Sequence, residues 1–171
     1  MYFFCHTEFH IYGSKEDLTL LRSKLAEWVE FKNICDNAGV ECVDSMDTRG
    51  SITRVSNIFD DRYIILCTDS AWNARLSFWQ SVFDKLGVTV RITYLAIEPV
   101  TKYYAVYDPH GIGDFDKYQY RIVDGDDELD LTETMLREYL QKKLATSEDD
   151  IEELCQAASK LIQIYKYDRV K

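Results

Sequence analysis

The sequence predicts an α+β fold, because strand-like runs of aromatic and β-branched residues alternate with apolar stripes at helical spacing. The 171 residues are 46% hydrophobic and 13% aromatic, which is typical of a globular chain. In chain order the patterns give strand, helix, strand, strand, helix and strand, and two more helices follow. This order indicates a ferredoxin-like antiparallel sheet with two helices on one face, plus a C-terminal helical hairpin. We expect residues 1–125 to form the core and residues 126–171 to form a hairpin packed on it, as a single domain overall.

The first strand and the first helix carry clear local signals. The stretch "FFCHTEFHIYG", residues 3–13, is rich in strand-forming residues and ends at a glycine. Ser14 and Asp17 then form a pair like a capping box, and leucines follow at helical spacing. Residues 51–59 and 62–67 are predicted strands, joined by two aspartates that suit a hairpin turn.

The segment Thr68-Asp69-Ser70 lies between a predicted strand and an aromatic helix that we expect to begin at Ala71. A serine nucleophile would need a base, and the segment has neither a nearby histidine nor a Gly-x-Ser-x-Gly elbow. We therefore expect Asp69 or Ser70 to cap the helix. Its apolar stripe consists of Trp72, Leu76, Trp79, Phe83 and Leu86. Residues 88–97 and 102–108 are predicted strands, and residues 116–125 a further short one.

Two amphipathic patterns make up the C-terminal part of the sequence. Asp130 and Glu133 form a capping-box pair before the first, and Ser147 and Asp150 form a similar pair before the second. The second apolar stripe continues over residues 151–165. Because the connection between the two patterns is short, we expect an antiparallel pair of helices. Their apolar faces are expected to be buried on the sheet.

The net charge of −10 limits the classes of partner. A chain this acidic is repelled by nucleic-acid phosphates and by anionic membranes, so we expect neither as a partner. Its charge favours a basic protein partner instead. No stretch approaches the length of a membrane span, and the start lacks the pattern of a signal peptide. With no export signal, we expect a cytoplasmic protein whose five cysteines are reduced thiols.

The first strand also supplies the candidate site. Alternation along a strand places His6, Glu8 and His10 on the face opposite the core. On the fourth strand of the sheet, the same reasoning places Arg91 and Thr93 on that open face. One metal ion is not expected to bind both histidines, because residues four apart along a strand are separated by ~13 Å. We predict a polar network or a contact with a partner, in which Arg91 faces the histidines and Glu8, with no metal and no cofactor.

Three stretches resemble the YubB-like family of small plasmid and phage proteins. They are "MYFFCHTEFHIYGSKEDLTLLRSKL", "CTDSAW" and "VTVRITYLAIEP", and the resemblance covers roughly residues 1–31 and 50–108. It implies a ferredoxin-like fold and an origin in a bacterial mobile element. It supplies no catalytic residues.

Two functions are therefore expected from the sequence. The first is a cytosolic interaction or regulatory protein that binds a basic protein partner through an acidic surface. The alternative is a protein that binds a small ligand, or an enzyme, with a pocket lined by His6, Glu8 and His10. A recognisable pair of nucleophile and base is missing from the sequence, which favours the first.

Overall fold

The computed structural model describes residues 4–41, 49–113 and 115–170. Within these residues the fold is α+β, with five α-helices and two β-sheets. No helix among them has both the length and the apolar composition needed to cross a membrane. Phe3, the first residue of the first predicted strand, lies outside the described residues.

The larger sheet has six strands and is mixed. Its order is β2-β3-β1-β4-β5-β9, and every neighbouring pair is antiparallel except β5 with β9, which is parallel. The strands are β1 (Phe4–Gly13), β2 (Gly50–Val55), β3 (Tyr63–Ala71), β4 (Val90–Glu98), β5 (Tyr103–Tyr107) and β9 (Asp168–Val170). Since β1 pairs with β3 on one side and β4 on the other, its side chains lie at the centre of the sheet.

Three helices pack with the larger sheet into one hydrophobic cluster. They are α1 (Lys15–Glu27), α2 (Phe31–Ala38) and α3 (Leu76–Leu86). The cluster joins buried side chains of these helices to the buried face of the strands, and Trp79 of α3 is fully buried within it. The predicted cap at Ser14 is confirmed, because its hydroxyl oxygen accepts a hydrogen bond from the backbone N–H of Asp17.

The smaller sheet has three strands in the order β7-β6-β8, and the last two helices complete its core. The strands are β6 (Tyr120–Asp124), β7 (Asp127–Leu131) and β8 (Gln163–Lys166), and the helices are α4 (Glu133–Leu144) and α5 (Ile151–Ala158). After β8 the chain passes through Tyr167 and enters the larger sheet as β9. The boundary expected between residues 125 and 126 falls in the turn between β6 and β7.

The predictions for the last two helices need correction. The helix expected to run through residue 165 ends at Ala158, because residues 163–166 pair as strand β8 with β6. The two helices pack on this smaller sheet, which the sequence analysis did not foresee. The N-cap of α4 is Thr132, whereas Asp130 binds Arg121. The pair Ser147 and Asp150 predicts a cap at Ser147, but the N-cap of α5 is Asp150, which accepts hydrogen bonds from two backbone N–H groups.

The expectation of five reduced cysteines is wrong at Cys35, and Cys42 lies outside the residues that the structure describes. Cys5, Cys67 and Cys155 are free thiols, whereas Cys35 is disulfide-bonded.

Candidate functional site

The candidate site is built on the central strand β1, whose side chains alternate as predicted. Cys5, Thr7, Phe9 and Ile11 are buried in the core. His6 is exposed on the opposite face, where Glu8 and His10 are partly buried. The core face of β1 packs into the hydrophobic core, so the ionisable side chains His6, Glu8 and His10 all lie on the other face.

An accessible histidine–carboxylate pair lies on this face. His6 on β1 and Asp69 on β3 are directly opposite each other in the antiparallel register. His6 Nδ1 lies 2.5 Å from Asp69 Oδ1, a hydrogen bond in which the imidazole donates and the carboxylate accepts. The side chain of His6 is 65% exposed and that of Asp69 is 30% exposed. Both groups therefore remain accessible to a partner or a ligand.

The predicted helix cap at Asp69 or Ser70 is wrong, and the local sequence therefore gave no sign that Asp69 is a site residue. Strand β3 continues to Ala71, so Asp69 is a strand residue. The hydroxyl of Ser70 donates to the carbonyl of Asn73, and α3 begins only at Leu76, after Arg75 in the left-handed region. The pairing of β3 with β1 would have pointed to Asp69, since it lies opposite a histidine.

A second pair lies further along β1. His10 Nε2 is 2.9 Å from Glu8 Oε1, and Arg54 of β2 lies 3.8 Å from the other oxygen of Glu8. The hydrogen bond from His10 holds the pKa of Glu8 below its usual value, against the opposing effect of burial. The ring of His10 contacts the rings of Tyr63 and Phe115, whose centroids are 5.4 Å and 4.4 Å away. Unlike His6, His10 is thus packed against aromatic rings.

The structure does not bring Arg91 and Thr93 into this network. Arg91 lies opposite Tyr12 in the register and is exposed, and within the described residues it forms no ion pair with Glu8. Thr93 does lie opposite His10, but it is fully buried. Gly113 covers it so closely that a Cβ at this glycine would be 2.8 Å from Thr93 Oγ1. The cation that approaches Glu8 is Arg54, not the predicted Arg91.

The residues His6, Glu8 and Asp69 line one recess of about 300 Å³ on this face. Leu95 and Ile97 of β4 contribute apolar side chains to the same recess. His10, the third residue of the predicted pocket, does not line it. The arrangement offers two carboxylates beside apolar surface in a space at the small end of the range for ligand pockets, about 300–1,000 Å³.

Cys67 also lines the recess, opposite Glu8 in the register. Burial raises the pKa of its thiol, and the nearby Arg54 only partly offsets this. A nucleophilic cysteine needs a lowered pKa, so Cys67 is not activated for attack. It is instead a useful reporter of whether the recess is occupied.

No group of three histidine, cysteine, aspartate or glutamate side chains in the described parts of the chain is arranged to hold a metal ion. Comparison of the chain with protein-family models, with curated proteins and with solved structures finds no match.

Proposed function

We propose that this protein is a non-enzymatic interaction or regulatory protein whose recess on the sheet receives a basic side chain of a protein partner. The observation that carries the proposal is the presence of Glu8 and Asp69 in one small recess beside the apolar side chains of Leu95 and Ile97. Arginine and lysine match this composition, because each has an apolar stem and a cationic end.

Both carboxylates retain capacity for such a partner. An ionised carboxylate has about four acceptor positions, whereas the hydrogen bonds from His6 and His10 each occupy one. Arg54 lies near Glu8 and offsets part of its charge, so Asp69 is the stronger attraction for a cation. A guanidinium group is especially suitable, since it binds a carboxylate in bidentate fashion.

The overall charge supports the same class of partner. A net charge of −10 attracts a basic protein over long distances and accelerates the encounter. The same charge, together with two carboxylates in the recess, repels nucleic-acid phosphates. We therefore propose a basic protein partner and not a nucleic acid.

We also propose that the core is ferredoxin-like, and that the chain is a cytoplasmic, YubB-like protein from a bacterial mobile element. Support for the fold comes from the spatial order β2-β3-β1-β4 of these antiparallel strands. In chain order, α1 and α2 follow β1 and precede β2, and α3 follows β3 and precedes β4. Support for the family is the resemblance of the three sequence stretches described above. In this proposal, β5, β9 and the smaller sheet are additions to the core.

The experiment measures the alkylation of Cys67 by iodoacetamide in the presence of millimolar N-acetylarginine amide. The control ligand is N-acetylcitrulline amide, which has nearly the same shape but no charge. We expect the arginine compound to slow the alkylation of Cys67 and the citrulline compound to have little effect. Cys155 is an internal control, because it does not line the recess.

Two variants with the same change of charge localise the effect. For each variant, the alkylation rate of Cys67 with ligand is compared with the rate of the same variant without ligand. Asp69→Asn should abolish the protection of Cys67. Asp126→Asn removes an exposed carboxylate from the turn between β6 and β7 and should leave the protection unchanged. Protection that survives Asp69→Asn, or that is lost in Asp126→Asn, would place the attraction elsewhere on the acidic surface and contradict the proposal.

A second candidate is a protein or enzyme that binds a small neutral ligand in the same recess. The observation that favours it is the hydrogen bond between His6 and Asp69, since a carboxylate that orients an imidazole is a common arrangement for a general base. Equal protection of Cys67 by the arginine and citrulline compounds would favour this candidate over the first.

A further inference from the structure

A second cavity, of about 550 Å³, lies where the two sheets meet. It is lined by Lys102, immediately before β5, and by residues of β6, α5, β8 and the segment between α5 and β8. Tyr120, Ile162 and Ile164 provide apolar wall, and Lys166 provides a second ammonium group. The cavity is separate from the recess of the proposed function, and the two share no lining residue.

Local structure explains why this space is not filled. Helix α5 ends at Ala158, and the chain then turns to form β8. The short helix leaves the end of the smaller sheet uncovered at Tyr120 and Lys166, which are opposite each other in the register. Lys166 Nζ lies 5.9 Å from the centre of the Tyr120 ring, within reach of a cation–π interaction. Tyr104 of β5 stacks on Tyr165 of β8 at 4.3 Å and holds the two sheets together beside the cavity.

The charge of this cavity is opposite to that of the chain as a whole. No aspartate or glutamate lines it, and within the described residues neither Lys102 nor Lys166 forms an ion pair. Burial raises the pKa of Tyr120, with smaller contributions from Glu133, Cys155 and Glu152, so some negative charge lies beyond the wall. Among the residues that line the cavity, however, the charged groups are the two ammonium ions of Lys102 and Lys166.

We infer that this cavity binds a small organic phosphate, a compound with a planar apolar body and one phosphate group. A phosphate monoester carries between one and two negative charges at neutral pH, which matches the two ammonium groups. The planar body would lie against Tyr120 and the two isoleucines. The volume is within the range of about 300–1,000 Å³ for small-molecule sites, which are mostly apolar with a few polar groups. This inference does not depend on the function proposed for the recess.

The test uses phenyl phosphate as the probe and the alkylation rate of Cys155 as the readout. Cys155 lines the cavity and is a free, partly buried thiol. At a probe concentration ~10 times the Kd, we expect alkylation to slow about tenfold. Phenol has the ring without the phosphate, and inorganic phosphate has the charge without the ring, so each should protect less than phenyl phosphate. Cys67 should react at an unchanged rate.

Lysine variants identify the groups that bind the phosphate. Lys102→Ala and Lys166→Ala should each reduce the protection, and the double variant should abolish it. Lys160→Ala is the matched control, since this exposed lysine has the same charge but does not line the cavity. All three side chains are exposed, so the variants are expected to fold. Equal protection by phenol and phenyl phosphate, or protection that persists in the double variant, would overturn the inference.

Discussion

The hydroxyl of Tyr167 provides a sharp test of how the two sheets are held together. Tyr167 lies between β8 and β9 and is 4% exposed. Its hydroxyl donates a hydrogen bond of 2.6 Å to Asp130 Oδ1 in β7. Tyr167→Phe removes this bond and keeps the ring. A hydrogen bond to a charged group contributes about 1.5–3 kcal/mol. Because Asp130 keeps two hydrogen bonds from Arg121, at 2.9 and 3.0 Å, we expect a loss near the lower limit, about 1.5–2 kcal/mol.

The assay is urea unfolding followed by circular dichroism. With a slope of about 2 kcal/mol per M, the expected loss lowers the midpoint of unfolding by about 0.8–1 M with the slope unchanged. The matched control is Tyr165→Phe, which removes a hydroxyl that binds the neutral side chain of Gln163 in an exposed position. Its cost should stay within about 0.5 kcal/mol. Equal midpoints for the two variants would refute the argument that the buried bond to Asp130 joins the sheets.

Three further predictions follow from burial and close contacts. Cys5 is fully buried, and burial raises the pKa of its thiol to about 11. At pH 8, iodoacetamide should therefore modify Cys67 well before Cys5. Faster modification of Cys5 than of Cys67 would contradict the burial of Cys5. Burial also raises the pKa of Tyr104 to about 12, which means that the folded state favours the neutral phenol. The stabilisation from this preference is complete below pH 10 and is lost as the pH rises from 10 to about 12. Urea midpoints measured across that range should fall, and a smaller fall is expected for Tyr104→Phe. Gly113→Ala places a methyl group 2.8 Å from the hydroxyl oxygen of Thr93. This overpacking should lower the free energy of unfolding by about 1–3 kcal/mol. An unchanged melting temperature would show that the loop moves away at no cost.

The features that could be predicted from the sequence are those set by neighbouring residues. The alternation of β1 depends only on the strand geometry of one continuous run, and it placed His6 and Glu8 correctly on the polar face. The cap at Ser14 depends on a residue three positions away. In both places, local propensity and tertiary packing favour the same structure.

The features that could not be predicted depend on distant pairing. Asp69 has the local sequence of a helix cap, but pairing with residues 4–13 of β1 extends β3 as far as Ala71. The apolar spacing at Ile162 and Tyr165 continues a helical stripe, yet pairing with β6 makes residues 163–166 a strand. The burial of Thr93 depends on a loop about 20 residues further along the chain. Helical periodicity alone contains none of this information.

The single residue between β8 and β9 also limits how the molecule can deform. Because β8 is hydrogen-bonded into one sheet and β9 into the other, with only Tyr167 between them, the chain has no slack for a hinge at this point. Opening the sheets relative to each other would strain the ladders at β5 and at β6 together. The cavity beside this crossing therefore lies between two sheets that the backbone ties closely together. A compound of matching width would then bind with a smaller entropic cost than at a hinged site, and one that is too wide would have to strain both ladders.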